Sequence, residues 1–272
     1  MALRRNSVSE EVAMRFRRSL MLTAAVLALA APNPARATSG DSLRLLMLGA
    51  QDMNTPQTLL RADITGEVET PQSTRKIQAI ALFAPGKDAH WFFQVREPEL
   101  RALVLGSDRK VMERSGSITQ TIPIGAPIDT LGIAYEDLSR FIVDDFKTWQ
   151  ITDENPSTVL VGMHPNVESA YVYRAYTFDK EMTVPLKVQF YAKSLNNLVK
   201  LRLDSDHALL GKKWLPGTIQ IQNFPENSTA RLHVRWTQNA NAPPELLVPA
   251  SFPGTSPLPW EPVASPSAAP SP

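Results

Sequence analysis

The densest group of potentially reactive side chains is Asp204-Ser205-Asp206-His207. Two carboxylates, a hydroxyl and an imidazole within four positions are residue types that bind divalent metal ions. The group follows an alternating strand pattern and precedes Gly211-Lys212-Lys213, and such polar residues are favoured in turns. We therefore predict a polar connection between two strands at this point, and no metal site.

Other candidate catalytic groups are separated from one another. Asp144 and Asp145 are adjacent, and neighbouring side chains of an extended chain point to opposite faces. His90, His164 and His233 lack the spacing of metal ligands. No serine lies in a G-x-S-x-G motif, and the sequence has no glycine-rich phosphate loop. The sequence therefore predicts a protein without catalytic activity, cofactor or metal.

Residues 1–37 have the pattern of a secretory signal peptide. A basic segment, 15–18, precedes a run of apolar or small residues, 20–31, that is too short to span a bilayer. The triplet Ala35-Arg36-Ala37 matches a small-x-small cleavage site. We expect export by the general secretory or the twin-arginine route, with cleavage near Ala37.

Cysteine usage and charge exclude several classes of protein. The sequence contains no cysteine, so it forms no disulfide bond and lacks the residue needed for N-terminal lipidation. Of the 28 basic and 27 acidic side chains, six and two lie within 1–37, so the remainder carries a net charge of about −3. Proteins that bind nucleic acid or anionic membranes use a basic surface, which this balance does not supply.

The remaining chain divides into a domain, 38–241, and a tail, 242–272. The domain is long enough to bury a sizeable core. The tail is rich in Pro, Ala and Ser, so we expect it to be disordered. As an alternative, Leu246-Leu247-Val248 and Trp260 in the tail could form a short docking element.

Within the domain, apolar and polar residues alternate with the period of β-strands. Leu186, Val188 and Phe190 fall on one face, and Leu201 with its alternate neighbours repeats the pattern one strand later. Strands with one apolar and one charged face are typical of antiparallel sheets that pack on one side. About ten such runs predict a mainly β (α+β) fold, built on one large curved antiparallel sheet.

Two segments interrupt the strand pattern. A short apolar stretch, 43–49, suits a first helix. The second segment is 132–142. Tyr135 and Leu138 fall at helical spacing with Phe141 or Ile142, which indicates a short amphipathic helix. Glu136 and Asp137 lie in its first turn, near the positive end of the helix dipole, and we expect both to remain in water. These helices would cover the concave apolar face of the sheet.

Tyr135-Glu136-Asp137-Leu138 resembles the corresponding segment of the outer-membrane lipoprotein-sorting proteins, the periplasmic LolA-like superfamily. Two further segments agree with that family: 185–193, and Trp214-Leu215-Pro216 followed by 228–232. The resemblance implies a half-barrel of antiparallel strands, with helices across a hollow that holds acyl chains. It also implies a soluble periplasmic location.

The resemblance leads us to expect a non-catalytic carrier that binds acyl chains of lipids or lipoproteins in an apolar hollow. An inner-membrane transporter and an outer-membrane acceptor would be its further partners. Apolar and aromatic residues of the strands and the helix are the candidates for the hollow and its lid: Trp91, Phe93, Tyr135, Leu138, Ile142, Tyr171, Tyr173, Phe190, Leu201 and Trp214.

Each part of this interpretation has an alternative. The aromatic residues could be plain core, and the helix could be a fixed plug instead of a movable lid. The same fold could serve a periplasmic adaptor or sensor that engages a membrane transporter or a stress regulator through the Pro-rich tail. An enzyme acting on envelope lipids is the third and least favoured alternative, because no nucleophile and base are paired.

Overall fold

In the computed structural model, residues 40–86, 90–128 and 131–260 are described. The predicted signal peptide, 1–37, and the last part of the predicted tail, 261–272, lie outside them. The helices are α1 (Gly40–Asn54) and α2 (Tyr135–Leu138), with short 3-10 helices at Val143–Asp145, Pro244–Leu247 and Phe252–Gly254.

Alternating stretches such as Ser228–Gln238 form strands, as predicted, whereas the strands Trp91–Val95 and Leu100–Leu105 are buried at every position. The strands are β1 (Leu60–Glu69), β2 (Thr74–Phe83), β3 (Trp91–Val95), β4 (Leu100–Leu105), β5 (Lys110–Ser115), β6 (Ile118–Pro123), β7 (Phe146–Glu154), β8 (Thr158–Pro165), β9 (Tyr173–Asp179), β10 (Val184–Tyr191), β11 (Leu198–Ser205), β12 (Ala208–Leu210), β13 (Lys213–Leu215), β14 (Thr218–Asn223) and β15 (Ser228–Gln238). Asp206 and His207 lie in the turn between β11 and β12.

Thirteen of these strands form one antiparallel sheet that curves and does not close. Its order is β6-β5-β4-β3-β2-β1-β15-β14-β11-β10-β9-β8-β7, and β12 and β13 form a separate hairpin. Strand β1 lies near the middle, where Ile64 is opposite Ala79 of β2 and Val234 of β15. We call β1–β6 the first arm and β7–β11 the second arm. The predicted half-barrel of antiparallel strands is confirmed.

The chain between β6 and β7 connects the two edges of this open sheet. These two strands are consecutive in sequence but lie at opposite ends of the strand order, so residues 124–145 must cross from one arm to the other. Helix α2 lies within this crossing segment. Short helices therefore cover the concave face, as predicted.

The concave face carries two apolar clusters. The first contains Trp91 and Phe93 of β3, with Tyr135 of the crossing segment packed against both rings. The second lies on the second arm, where Phe141 of the crossing segment contacts the rings of Tyr176 and Phe178. The crossing segment therefore contributes an aromatic residue to the core of each arm.

A third apolar cluster lies on the convex face of the first arm and corrects the prediction of a disordered tail. Leu246, Phe252 and Leu258 are buried against outward-facing residues of β2–β4, among them Leu82 and Phe92. The Gln94 side chain donates to the carbonyl of Leu258 and accepts from its amide, at 3.0 and 2.8 Å. Single apolar residues spaced among prolines thus suffice to fix 242–260 on the sheet, although their composition indicated disorder.

We expect Phe252→Ala to reduce the free energy of unfolding by about 3 kcal/mol, because it removes a fully buried aromatic ring. The matched control is Phe224→Ala, since that ring is largely exposed and its loss should cost under about 1 kcal/mol. Urea denaturation of both variants measures the difference. Equal effects would show that 242–260 does not pack on the sheet.

Candidate functional site

A cavity lies between the concave face and the crossing segment, and we call it the hollow. Its wall is largely apolar and comes from both arms, with Ile64, Phe83, Trp91, Phe93, Val188 and Phe190 among its residues. Residues 136–141 of the crossing segment form its cover. The cavity volume is about 80 Å³, room for only a few water molecules. The hollow is therefore narrow in this conformation.

Helix α2, Tyr135–Leu138, is too short to be stable alone and depends on contacts around it. At its N-terminus, the Asp137 carboxylate accepts a 2.7 Å hydrogen bond from the amide of Ala134. At its C-terminus, the Ser139 hydroxyl donates to the carbonyl of Tyr135 at 2.9 Å. The remaining stabilisation comes from side chains of the sheet.

Glu136 is 2% exposed and links the two arms. One carboxylate oxygen accepts hydrogen bonds from Arg109, in the turn between β4 and β5, and from Arg174 of β9. The other oxygen accepts from the amide of Ala170 at 3.0 Å. Arg109 also pairs with Asp145 at 3.3 Å. The carboxylate of Glu136 is thus the point at which cations from both arms meet.

Asp137 is 1% exposed and binds the second arm. Its carboxylate pairs with Lys200 of β11 at 2.6 Å and accepts a hydrogen bond from the Tyr171 hydroxyl. Arg202 of β11 donates to the backbone carbonyl of Asp137 at 2.8 Å and pairs with Asp204. Burial, followed by the Asp137 charge and hydrogen bond, raises the pKa of Tyr171, so its hydroxyl remains a donor at neutral pH.

The expectation that Glu136 and Asp137 remain in water is wrong, because both carboxylates are buried and pair with basic side chains of the two arms. The helix is also shorter than predicted, since it ends at Leu138. The ion pairs and hydrogen bonds of Glu136 and Asp137 hold α2 in place, which favours the fixed-plug alternative for this helix. A movable cover would have to begin at its C-terminal end.

Four of the predicted residues line the hollow: Trp91, Phe93, Leu138 and Phe190. Tyr135 and Tyr171 lie beside it as part of the attachment of α2. The Tyr135 hydroxyl donates to the carboxylate of Glu113 at 2.7 Å. Burial and this carboxylate raise the pKa of Tyr135, so it too remains protonated.

The other four predicted residues lie away from the lining. The ring of Tyr173 contacts His164 and Tyr191, while its neighbour Arg174 points into the hollow. Ile142 and Trp214 are half-buried beside Phe141 and Leu215, which do line it. For Tyr173, Ile142 and Trp214, the sequence therefore identified the right segment, but the neighbouring residue is the one that lines the hollow.

Leu201 is the last of these four residues. It was predicted to line the hollow, but its side chain points to the other face of β11. Lys200, Arg202 and Asp204 are directed towards the hollow, so Leu201 lies on the opposite, partly exposed face. Successive side chains of a strand point to opposite faces, so pairing Lys200 with Asp137 determines the whole strand. The apolar pattern of β11 gave the opposite face.

Charged residues of the hollow were missed by the sequence-based prediction. Arg174, Arg202 and Arg140 all contribute to its lining. Arg174 pairs with Glu136, and Arg202 binds the backbone of Asp137. Only the burial of α2 could therefore have indicated these two arginines. Burial lowers the pKa of Arg140 to about 10, so its guanidinium remains charged at neutral pH.

No protein-family model matches the chain, and no curated protein matches its sequence. Solved structures share its architecture. A DUF1329 family protein from Desulfovibrio piger superposes with a TM-score of 0.65 at 13% identity, over 76% of this chain and 95% of that one. A LolA superfamily protein from Nitrosomonas europaea gives 0.62 at 13% identity, over 76% and 97%.

A domain from Vibrio parahaemolyticus described as an outer membrane lipoprotein-sorting protein gives a TM-score of 0.60 at 14% identity, over 77% of this chain and 97% of that one. The fold is LolA-like. At these identities the likeness establishes the LolA-like architecture only. Within residues 40–86, 90–128 and 131–260, no helix is long and apolar enough to cross a membrane.

We expect Glu136→Gln to reduce the free energy of unfolding by about 3 kcal/mol or more, because two buried arginines lose their shared carboxylate. Glu67→Gln is the matched control, since the Glu67 side chain is 42% exposed and lies 3.8 Å from Arg231. Exposed pairs of that kind contribute at most about 1 kcal/mol. Urea denaturation followed by circular dichroism compares the two. Similar small losses would contradict an attachment through Glu136.

Proposed function

We propose that the protein is a periplasmic carrier that binds acyl chains of lipids or lipoproteins in the hollow, without catalysis. The observation that carries this proposal is an apolar cavity wall, contributed by both arms, beneath a cover of only a few residues. The LolA-like fold supports it, because the solved structures that share this fold include a domain described as lipoprotein-sorting. The donor and the acceptor would be an inner-membrane transporter and an outer-membrane component.

The hollow must widen for ligand entry, since its volume of about 80 Å³ cannot take a long chain. Burying an acyl chain provides about 0.8 kcal/mol per methylene, or roughly 10 kcal/mol for a long chain. Part of that free energy would be used to displace the cover. The remainder would give binding weak enough for the lipid to be passed on.

Residues 138–141 are the part of the crossing segment that could move. On one side, α2 is held by the ion pairs of Glu136 and Asp137. On the other side, the amide of Val143 donates to the side chain of Gln51 in α1 at 2.8 Å. Leu138, between these two attachments, lines the hollow and is half-buried. The lid is thus proposed to begin at Leu138, the last residue of α2, rather than to be the whole helix.

The adaptor alternative has less support. It requires a free Pro-rich tail, but 242–260 packs on the convex face of the first arm. Only 261–272, which lie outside the described residues, would remain for docking. The carrier proposal needs no such segment.

We expect the protein, expressed with its own signal peptide and purified from the periplasm, to carry a bound lipid. Native mass spectrometry should show an additional mass, and organic extraction should identify it as a phospholipid or another acylated molecule. The control is the same protein after delipidation and incubation with envelope lipids. An unliganded mass under both conditions would count against the carrier and favour the adaptor.

We expect Leu138→Asn to weaken binding of the uncharged apolar fluorophore N-phenyl-1-naphthylamine about tenfold. The amide would enter an apolar cavity at a cost of about 1–2 kcal/mol. Leu195→Asn is the matched control, because Leu195 is exposed and does not line the hollow. Fluorescence titration measures both. Unchanged affinity in a folded Leu138→Asn protein would contradict the proposed cover.

A further inference from the structure

The hollow contains hydrogen-bond donors without acceptors. Among the described residues, five buried side-chain polar atoms make no hydrogen bond: Trp91 Nε1, Arg140 Nε, Nη1 and Nη2, and Arg174 Nε. All three residues line the hollow. All five atoms carry N–H groups and none is an acceptor. The unsatisfied buried side-chain groups of the described chain therefore all belong to residues that line one cavity, and all of them are donors.

Such groups are costly, and native proteins contain few of them. Leaving a buried donor without a partner is unfavourable, and more so when the group is charged. The cost remains in the folded protein unless something supplies an acceptor. A ligand with acceptor oxygens would satisfy these donors.

Charge separates Arg140 from the other cations around the hollow. Arg109 and Arg174 pair with Glu136, Lys200 pairs with Asp137, and Arg202 pairs with Asp204. Arg140 has no carboxylate partner within residues 40–86, 90–128 and 131–260. Desolvation is the cause of its lowered pKa, yet at about 10 the group is still a cation at neutral pH. The hollow thus holds a buried positive charge without a counter-charge from the described chain.

We propose that the hollow selects an amphiphile with an anionic headgroup, a carboxylate or a phosphate, and that Arg140 binds this headgroup. The inference rests on the proposed function, because it names the class of lipid that the acyl-chain site takes. A guanidinium presents a planar set of donors that matches carboxylate and phosphate oxygens. The apolar wall, which includes Phe93 and Phe190, would hold the chain.

The position of Arg140 connects headgroup binding with closure. It lies in the proposed cover, between Leu138 and Phe141, and all three residues line the hollow. An anion bound to Arg140 would hold the cover over the acyl chain by a charged contact. A neutral amphiphile with the same chain would lack that contact and leave more readily.

The test is a binding panel of amphiphiles with one chain length, used below their micelle concentrations. Dodecanoate and dodecyl phosphate are the anions, dodecanol is neutral and dodecyltrimethylammonium is the cation, each displacing N-phenyl-1-naphthylamine from the delipidated full chain. We expect the anions to bind at least tenfold more tightly than the other two. The tighter anion indicates the source, a free fatty acid or a phosphorylated lipid.

Arg140→Met, with a side chain that is apolar and flexible, should remove the preference for anions, so that dodecanoate and dodecyl phosphate bind no more tightly than dodecanol. Because it also removes an unpaired buried charge, we expect the ligand-free variant to have a higher urea midpoint. Arg75→Gln, at an exposed position of β2, is the control and should match the unmodified protein in both measurements.

The outcomes separate this inference from the proposed function. Equal binding of all four amphiphiles, or an anion preference that survives Arg140→Met, would overturn the headgroup assignment while leaving the acyl-chain site in place. Loss of stability in Arg140→Met would assign Arg140 a structural role and also overturn it. Failure of every amphiphile to bind the unmodified protein would overturn both.

Discussion

The buried ion pairs of Glu136 and Asp137 are the constraint on which the rest of the structure depends. An open sheet of thirteen strands has no closure to determine its curvature, and its two edges make no hydrogen bonds with each other. Glu136 receives Arg109 from the first arm and Arg174 from the second, so one carboxylate sets how far apart the arms lie. Buried ion pairs add little net stability, but they specify one geometry strongly, because every misplaced charge would be left unpaired.

Sequence alternation predicted the strands and the antiparallel sheet, because both depend on neighbours two residues apart. The burial of Glu136 and Asp137 depends on partners between 27 and 65 residues away, such as Arg109 and Arg202, and local patterns carry no such information. Strand β10 shows a related limit. A bulge between Pro185 and Lys187 shifts its register, so that Pro185 and not Leu186 joins Val188 in the hollow.

The candidate site was predicted only in part, because some of its residues depend on distant partners that local patterns do not reveal. Aromatic residues such as Trp91 and Phe190 were identified because large apolar side chains are usually buried, whatever their partners. Arg140 and Arg202 were not, since charged residues are usually exposed and the exceptions depend on tertiary contacts. The tail was misjudged because its composition is that of a disordered chain, yet three apolar side chains met an apolar convex surface. Composition describes a segment alone, whereas packing also depends on the surface that it meets.

The layer formed by 242–260 has a mechanical consequence. Strands β2–β4 are packed on both faces, against the concave core on one side and this layer on the other. Strands of the second arm are packed mainly on the concave side, and outward residues such as Tyr173 and Leu201 are partly exposed. A sheet clamped between two layers bends less easily than one supported on a single side. We therefore expect the two arms to differ in stiffness, with thermal bending of the half-barrel concentrated in the second arm, which also carries Arg174, Lys200 and Arg202.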